Sequence, residues 1–332
     1  GGRVGTGSAT PRAKGGRHAA RRNDGRAGCG ATRPAARGAV VTLLLFLAQT
    51  IRIAVPYLFA AAGGALAERA GIVSLSLEGF MLGGAFGAVI GAHYTESAWI
   101  GVVAGVAAGL VLAGIHAVCT LRFKADQIVT GVAINLFAVG ITRFLLQLAF
   151  DSSSNSPRVA GFGGENVGGA LALASNPLIW LGLAAMPTLA FIVYRTTFGL
   201  RVRAVGEHPD AAASVGVPVN RVRYVAVLGS GALAALGGTY LALDQHQFTD
   251  SMTAGRGFIA LAAVIFGRWD PVRAGIACLL FAGAETLQIR LQAAQIIPSQ
   301  FVAMIPYVLT IIAVAGVVGR SRPPAALGRA ND

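Results

Sequence analysis

Long apolar blocks separated by short polar loops run along most of the chain. The stretch from Ser97 to Leu121 has no charged residue, and Arg52 is the single charge between Ala39 and Gly64. About 20 apolar residues are needed to cross a hydrocarbon core of roughly 30 Å, and several of these blocks are that long. The pattern therefore predicts an all-α fold, a polytopic transmembrane helical bundle.

We predict nine membrane segments from this pattern. They lie at about 40–62, 72–92, 99–121, 127–149, 176–194, 222–243, 255–267, 273–291 and 300–318. The seventh is too short to span a bilayer alone, so we expect a half-helix or re-entrant piece enclosed by protein. Residues 39–319 would then form the transmembrane domain, followed by a C-terminal tail at 320–332.

Residues 1–38 differ from the rest of the chain. They are rich in Gly, Ala and Arg, and they hold nine basic residues against one acid, Asp24. Because they show no hydrophobic periodicity, we expect a disordered basic tail. The alternative is that the native protein begins near Val40 and the tail is not native.

The loops differ sharply in charge, which predicts orientation. One set of alternate loops contains 13 basic residues: Arg69, Arg122, Lys124, Arg195, Arg201, Arg203, Arg221, Arg223, Arg268, Arg273, Arg320, Arg322 and Arg329. The other set contains Arg158 and, at a helix edge, Arg256. Since short cytoplasmic loops are enriched in Lys and Arg, the first set and the C-terminus are predicted to be cytoplasmic. The same count places residues 1–38 outside, against that rule.

Two of the predicted segments carry regularly spaced glycines. Gly79, Gly83, Gly87 and Gly91 follow one stripe of the second segment, and Gly101, Gly105 and Gly109 follow one stripe of the third. Small residues at this spacing let helix backbones approach closely in lipid. We therefore interpret both stripes as helix-packing surfaces.

Composition narrows the function classes further. The chain is 55% hydrophobic and 12% charged, with a mean hydropathy of +0.65 and a net charge of +13. The basic tail has almost no aromatic residues, so nucleic acid is not predicted as a partner. Neither lysine lies in a G-x-x-x-x-G-K-[ST] loop, and no metal-binding spacing of His or Cys occurs. No enzyme, metal site or cofactor is predicted for this chain.

The longest basic loop, residues 195–223, is predicted to contain a short helix. Pro209 and Asp210 suit its first turn, and Gly216 suits its end. Two interpretations are open from spacing alone: a docking helix for a partner, or an ordinary solvated loop.

Several polar residues interrupt the apolar segments: Arg52, Glu78, Asn135, Arg143, Gln147, Glu285 and Gln288. Such groups usually face protein or a wet cavity, because burial in lipid is costly. They could line a translocation path, with Glu78, Asn135, Glu285 and Gln288 as candidates. They could equally form structural ion pairs and hydrogen bonds between helices, which we favour for the charged residues. Phe137 and Phe144 share one helix face and either stack on a solute or face lipid.

Three separated motifs resemble one family. They are AERAGIVSLSLEG at 67–79, ADQIVTGVAINL at 125–136, and the loop 195–223. Over roughly residues 45–318 the chain is similar to the permeases of bacterial ABC importers for simple sugars and nucleosides, most of all the nucleoside-type permeases. The resemblance implies an inner-membrane protein with three partners: an ABC ATPase subunit that binds ATP and Mg, a second permease subunit, and an extracytoplasmic solute-binding protein. It also implies a coupling helix that docks on the ATPase, with Gly206, Glu207, Pro209, Asp210, Ala211, Ala212, Val215 and Gly216 as its candidate residues.

The sequence thus predicts a membrane-spanning permease subunit that imports a nucleoside or simple sugar. The alternative is a secondary transporter driven by an ion gradient. That class favours internal inverted repeats and acidic residues on broken helices. The sequence shows no convincing repeat and few membrane-embedded acids.

Overall fold

The structure is a computed structural model that describes residues 32–162, 175–294, 304, 308 and 323–328. The chain divides into two units, Gly1–Val41 and Thr42–Asp332. In the first unit the structure describes only helix, over residues 32–41, so a helix begins inside the predicted tail. Residues 1–31 and most of the predicted segment 300–318 lie outside the described residues.

The described residues form ten α-helices and one π-helical turn, Val118–Arg122. The α-helices are α1 (Thr32–Arg69), α2 (Leu77–Thr95), α3 (Ala98–Ala117), α4 (Gln127–Phe150), α5 (Pro177–Arg195), α6 (Thr197–Glu207), α7 (Pro209–Ser214), α8 (Val219–Gln245), α9 (Arg256–Phe266) and α10 (Pro271–Ala294).

Six of the described helices are long and apolar enough to cross a membrane. These spans are Thr42–Arg69, Ala98–Arg122, Gln127–Phe150, Pro177–Arg195, Val219–Gln245 and Pro271–Ala293. The all-helical, multi-pass fold is confirmed, whereas the count of nine segments is not. Helix α2 lies outside this set, and α9 has only 11 residues, about 16 Å of helix. As predicted, α9 is therefore too short to span alone.

Helix α2 begins at Leu77, later than the 72–92 segment predicted from hydrophobicity. Residues 70–76 are not helical, and Gly71 has a φ of +88°, a conformation that glycine adopts without strain. Two side chains of α4 bind this segment, as described below. An apolar run therefore contains a break, which hydrophobicity alone does not reveal.

Helices α2, α3 and α8 form the tightly packed centre of the bundle. A Cβ at Gly87 would lie 2.7 Å from the Cβ of Ala108, and one at Gly101 would lie 2.8 Å from the carbonyl oxygen of Ala88. Gly105 faces Thr239 of α8, and all seven glycines of the two predicted stripes lie in similarly close contacts. Six of these glycines therefore lie against a neighbouring backbone, whereas Gly83 faces the Leu112 side chain.

Two glycines of α3 provide a matched test of this packing. At Gly105 a Cβ would overlap Thr239 and lie 2.7 Å from the Gly84 carbonyl oxygen, whereas at Gly114 nothing lies within 4 Å. We expect Gly105→Ala to lower the thermal unfolding temperature in detergent, because overpacking costs about 1–3 kcal/mol. Gly114→Ala should leave it unchanged or raise it, since Ala favours helix by up to about 1 kcal/mol. Equal shifts for the two variants would contradict the packing described here.

The two ends of the bundle have different characters. The "basic end" is the end at which α1 stops at Arg69, α5 stops at Arg195, and the turn at Arg268 joins α9 to α10. At the opposite end, the loop after α4 pairs with the loop after α8, and Asn155 and Thr249 form a β-bridge. Arg143 and Asp250 form an ion pair there, and the hydrogen bonds from Arg143 hold the pKa of the Asp250 carboxyl below its usual range.

Candidate coupling site and solute cavity

The three sequence motifs meet at the non-helical segment 70–76. Val73 N–H donates to Oε1 of Gln127 at 2.8 Å, and Asn135 Nδ2 donates to the Leu75 carbonyl oxygen at 2.8 Å. The Arg223 Nε donates to the Ala70 carbonyl oxygen at 3.2 Å, and this arginine is fully buried. Segments far apart in sequence are thereby joined at one point near the basic end.

Helix α6 contacts the turn that ends α1. Gly206 packs against the backbone of Arg69 so closely that any Cβ would overlap the Arg69 carbonyl oxygen. The sequence prediction contained no helix here, although Thr196 marks its start: the Thr196 Oγ1 accepts a hydrogen bond from Gly199 N–H at 3.1 Å. Helix α6 is therefore in direct backbone contact with the end of α1.

Helix α7 lies on the loop as predicted, with Pro209 in its first turn and Gly216 after its end at a φ of +83°. Ala212 is 4% exposed and anchors the helix. Asp210, Ala211 and Val215 are exposed, and Val215 is exposed to 78%. Asp210, Ala211 and Val215 thus form an exposed surface on and just after α7, at the basic end.

A polar cluster joins α1, α5 and the α9–α10 turn beside this loop. Buried Glu68 accepts a hydrogen bond from the Trp269 indole, and Arg69 donates to the Trp269 carbonyl oxygen and to the Tyr194 hydroxyl. Tyr194 in turn donates to Asp270. Burial raises the pKa of Asp270, but its hydrogen bonds from Tyr194 and from Arg273 N–H prevail, so its pKa lies below the usual range.

Glu78, a predicted path residue, lies against the start of α9. Its two carboxylate oxygens accept hydrogen bonds from the Gly255 and Gly257 backbone N–H groups, each at 2.7 Å. These amides belong to the first turn of a helix, where a negative charge is favourable. Glu78 therefore fastens the start of α2 to the start of α9.

Asn135, another path candidate, has both ends of its amide engaged. Its Oδ1 accepts from Gly79 N–H at 2.8 Å, and its Nδ2 binds Leu75. The side chain is buried, so the amide satisfies the backbone where the chain enters α2. The hydrogen bonds of Asn135 thus stabilise the non-helical segment between α1 and α2.

A cavity of about 510 Å³ opens between α1, α8, α9 and α10. Its polar lining residues are Gln49, Arg52, Tyr240, Asp244, Gln245, Arg256 and Arg290. Arg52 donates to both oxygens of Asp244 at 3.0 Å, and Arg256 pairs with Glu285 at 3.2 Å. Glu285 also accepts a hydrogen bond from Tyr57.

The predicted path residues are not brought together in this cavity. Glu285 contacts it through Arg256, whereas Phe137 and Phe144 lie on the exposed surface of α4, exposed to 48% and 61%. Gln288 is half-buried on α10 and does not line it. Sequence reasoning missed Tyr57, Tyr240 and Asp244 as members of the site. The signal that could have led to Asp244 was Arg52 inside an apolar span, because a charge at that depth requires an acidic partner.

Comparison with known proteins fixes the family. Residues 46–314 match the model described as the permease component of branched-chain amino acid transport systems. The chain belongs to this permease family. The permease is 37% identical to the guanosine ABC transporter permease protein NupQ of Bacillus subtilis, over 87% of this chain and 97% of that protein. It is 34% identical to the nucleoside ABC transporter permease protein NupC of Lactococcus lactis, with the same coverage of both chains.

The fold also has a solved counterpart. A structure described as an inward-facing conformation of a metal-chelate type ABC transporter superposes with a TM-score of 0.51 at 16% identity. The match covers 88% of the permease and 93% of that chain. At this identity the likeness concerns the fold alone. The family and the permease relatives show that the permease is a subunit of an ABC transporter, a class in which a separate subunit hydrolyses ATP.

Proposed function

We propose that the permease is the membrane subunit of an ATP-driven nucleoside importer. One observation carries this proposal. The loop at residues 195–223, which we call the coupling loop, meets the end of α1 and the start of α2 at one buried point. The similarity to guanosine and nucleoside permeases over nearly their whole length supports nucleosides as the solute class. The basic end is the cytoplasmic end in this proposal, since it holds most of the basic loop residues.

The cavity suits a polar solute that is not a cation. The charges of Arg52 and Arg256 are matched by Asp244 and Glu285, and Arg290 is a further cation in the lining, so there is no excess of acidic groups to attract a cation. The amides of Gln49 and Gln245 provide hydrogen-bonding groups for sugar hydroxyls and base edges. A volume of about 510 Å³ is typical of a small-molecule site.

A chain of contacts connects the docking helix to this cavity. Helix α7 follows α6 after one non-helical residue, His208, and α6 packs on Arg69 through Gly206. The turn after Arg69 leads into α2, where Glu78 holds the start of α9. Arg256, at the start of α9, lines the cavity and pairs with Glu285. We infer that movement of α7 by the ATPase reaches the cavity along this route.

The proposed assembly has several chains. An ABC ATPase docks on α7 and binds ATP and Mg, and a solute-binding protein delivers the solute at the opposite end. Two permease halves are needed to face two ATPases, and the resemblance to nucleoside-type permeases favours a related, non-identical second permease. Lipid surrounds the exposed apolar faces of α3, α4 and α5, which include Val103, Leu148 and Trp180.

Uptake into proteoliposomes tests the proposal. Labelled nucleosides would be offered to the permease alone and to the full assembly of both permeases, ATPase and binding protein, each with ATP enclosed or with an ion gradient and no ATP. We expect uptake only by the full assembly with ATP, with unlabelled nucleosides competing better than pentoses or hexoses. Gradient-driven uptake by the permease alone would establish a secondary transporter instead.

The cavity yields a prediction of its own. Glu285→Gln keeps the shape of the side chain but removes the counter-charge of Arg256, leaving a partly buried cation unbalanced. We expect nucleoside uptake to fall by about tenfold or more, because loss of one partner of such a pair costs a few kcal/mol. Asp250→Asn is the matched control, since it neutralises the acid of an ion pair outside the cavity. Equal losses of uptake in the two variants would show that the ion pair at the cavity has no greater role in transport than the ion pair outside it.

A further inference from the structure

A segment close to the C-terminus is built into the coupling site. Residues 323–328 lie between the end of α6 and the turn after α1, and Ala326 is 1% exposed. Ala326 N–H donates to the Gly206 carbonyl oxygen at 2.9 Å, and Gly328 N–H donates to the Gly71 carbonyl oxygen at 3.3 Å. We call residues 323–328 the C-terminal clasp.

The clasp satisfies a backbone group that the helix cannot satisfy itself. The last carbonyl groups of an α-helix have no partner within the helix, and Gly206 belongs to the last turn of α6. Ala325 N–H also faces the Glu207 carboxylate at 3.4 Å, and Leu327 packs against the apolar core. The clasp therefore binds both α6 and the turn that follows Arg69.

This position gives the clasp a mechanical role. Gly206 touches Arg69 through backbone, and Gly206 has no side chain of its own to interlock with the end of α1. The clasp bridges the two elements, because Ala326 binds α6 while Gly328 binds the turn. Ala326 also lies against Gly71, with its carbonyl oxygen 3.2 Å from the position of a Cβ there. If the contact between α6 and the end of α1 is rigid, a displacement of α6 moves α1 as well. If the contact is loose, α6 moves alone.

We propose that the C-terminal clasp is a positioning element of the coupling site, which locks α6 to the end of α1 so that movement of α7 is transmitted to the bundle. This inference rests on the proposed function. It assigns to residues 323–328 a role in coupling ATP hydrolysis to transport, separate from docking of the ATPase.

Two truncations test the clasp in the full assembly. Removal of residues 323–332 deletes the clasp, and removal of residues 329–332 is the matched control. We expect the longer truncation to keep co-purification with the ATPase and ATP hydrolysis within about twofold, while uptake per ATP hydrolysed falls by about tenfold, a typical coupling magnitude. The control should retain the uptake ratio. A complex that shows no ATP-driven uptake before truncation would refute the proposed function and not the clasp.

A second pair of variants keeps the chain length constant. Ala326→Trp does not fit the buried site of Ala326 and should expel the clasp, whereas Ala326→Gly should leave it in place. Hydrogen exchange provides an independent reading: we expect faster exchange in α6 and α7 for Ala326→Trp and no change in α3. An unchanged ratio of uptake to hydrolysis in both clasp variants would overturn the proposal. Loss of ATPase binding together with uptake would also overturn it, since the clasp would then serve assembly.

Discussion

Glu78→Ala is expected to abolish ATP-driven uptake while the assembled complex still forms. The substitution removes both acceptors of the Gly255 and Gly257 amides, which lie at the N-terminus of α9. Stranded amides and the lost helix-end charge together cost about 2 kcal/mol or more, enough to release α9 from α2. The measurement is nucleoside uptake together with ATP hydrolysis in proteoliposomes. Hydrolysis should continue without transport.

Two further variants separate the hydrogen bonds of Glu78 from its charge. Glu78→Gln retains one amide oxygen as an acceptor, so we expect an intermediate uptake rate. Gly257→Ala leaves Glu78 intact but places a methyl group 2.6 Å from the Glu78 backbone nitrogen, so it should impair uptake as well. Glu96→Gln, at an exposed residue after α2, is the control and should be silent. Normal uptake by Glu78→Ala would show that this link does not serve transport.

The second large effect is expected in the coupling helix. Ala211 is exposed on α7, so Ala211→Asp should leave the permease folded. The new carboxylate must lose its water when the ATPase docks on the surface that includes exposed Val215. A cost of only about 1.4 kcal/mol already weakens binding tenfold. We expect loss of ATPase co-purification and of uptake. Val215→Ala, which removes apolar surface without adding charge, should have a smaller effect in the same direction.

Ala212→Asp distinguishes docking from folding. Ala212 is the buried neighbour of Ala211, so the same substitution there places a carboxylate inside the loop. We expect a lower unfolding temperature for Ala212→Asp and an unchanged one for Ala211→Asp, measured in detergent without partners. If Ala211→Asp retained the ATPase and full uptake, α7 would not be the docking helix.

The long spans could be predicted from sequence because their signal is local. The segments predicted at 127–149 and 176–194 match α4 and α5 within one or two residues. An unbroken apolar stretch of sufficient length has few alternatives in lipid. Helix α6 was missed because its sequence mixes polar and apolar residues and forms no apolar block. Its position depends on the tertiary contact between Gly206 and Arg69.

Partners in the site could not be predicted, because they are set by tertiary structure. Arg52 and Arg143 were expected to form structural ion pairs, and both do, with Asp244 and Asp250. Nothing local in the sequence identifies those two acids, which lie more than a hundred residues away along the chain. For the same reason Glu78 was a path candidate, since the Gly255 turn that it caps is distant in sequence.

Access to the cavity during the ATP cycle tests the account most directly. A single cysteine at Gln49, in a background without Cys29, Cys119 and Cys278, would be labelled by a membrane-impermeant thiol reagent from either side of proteoliposomes holding the full assembly. We predict that ATP changes the side from which Gln49→Cys is labelled, and that Glu78→Ala abolishes the change. Labelling that is the same with and without ATP would contradict the account.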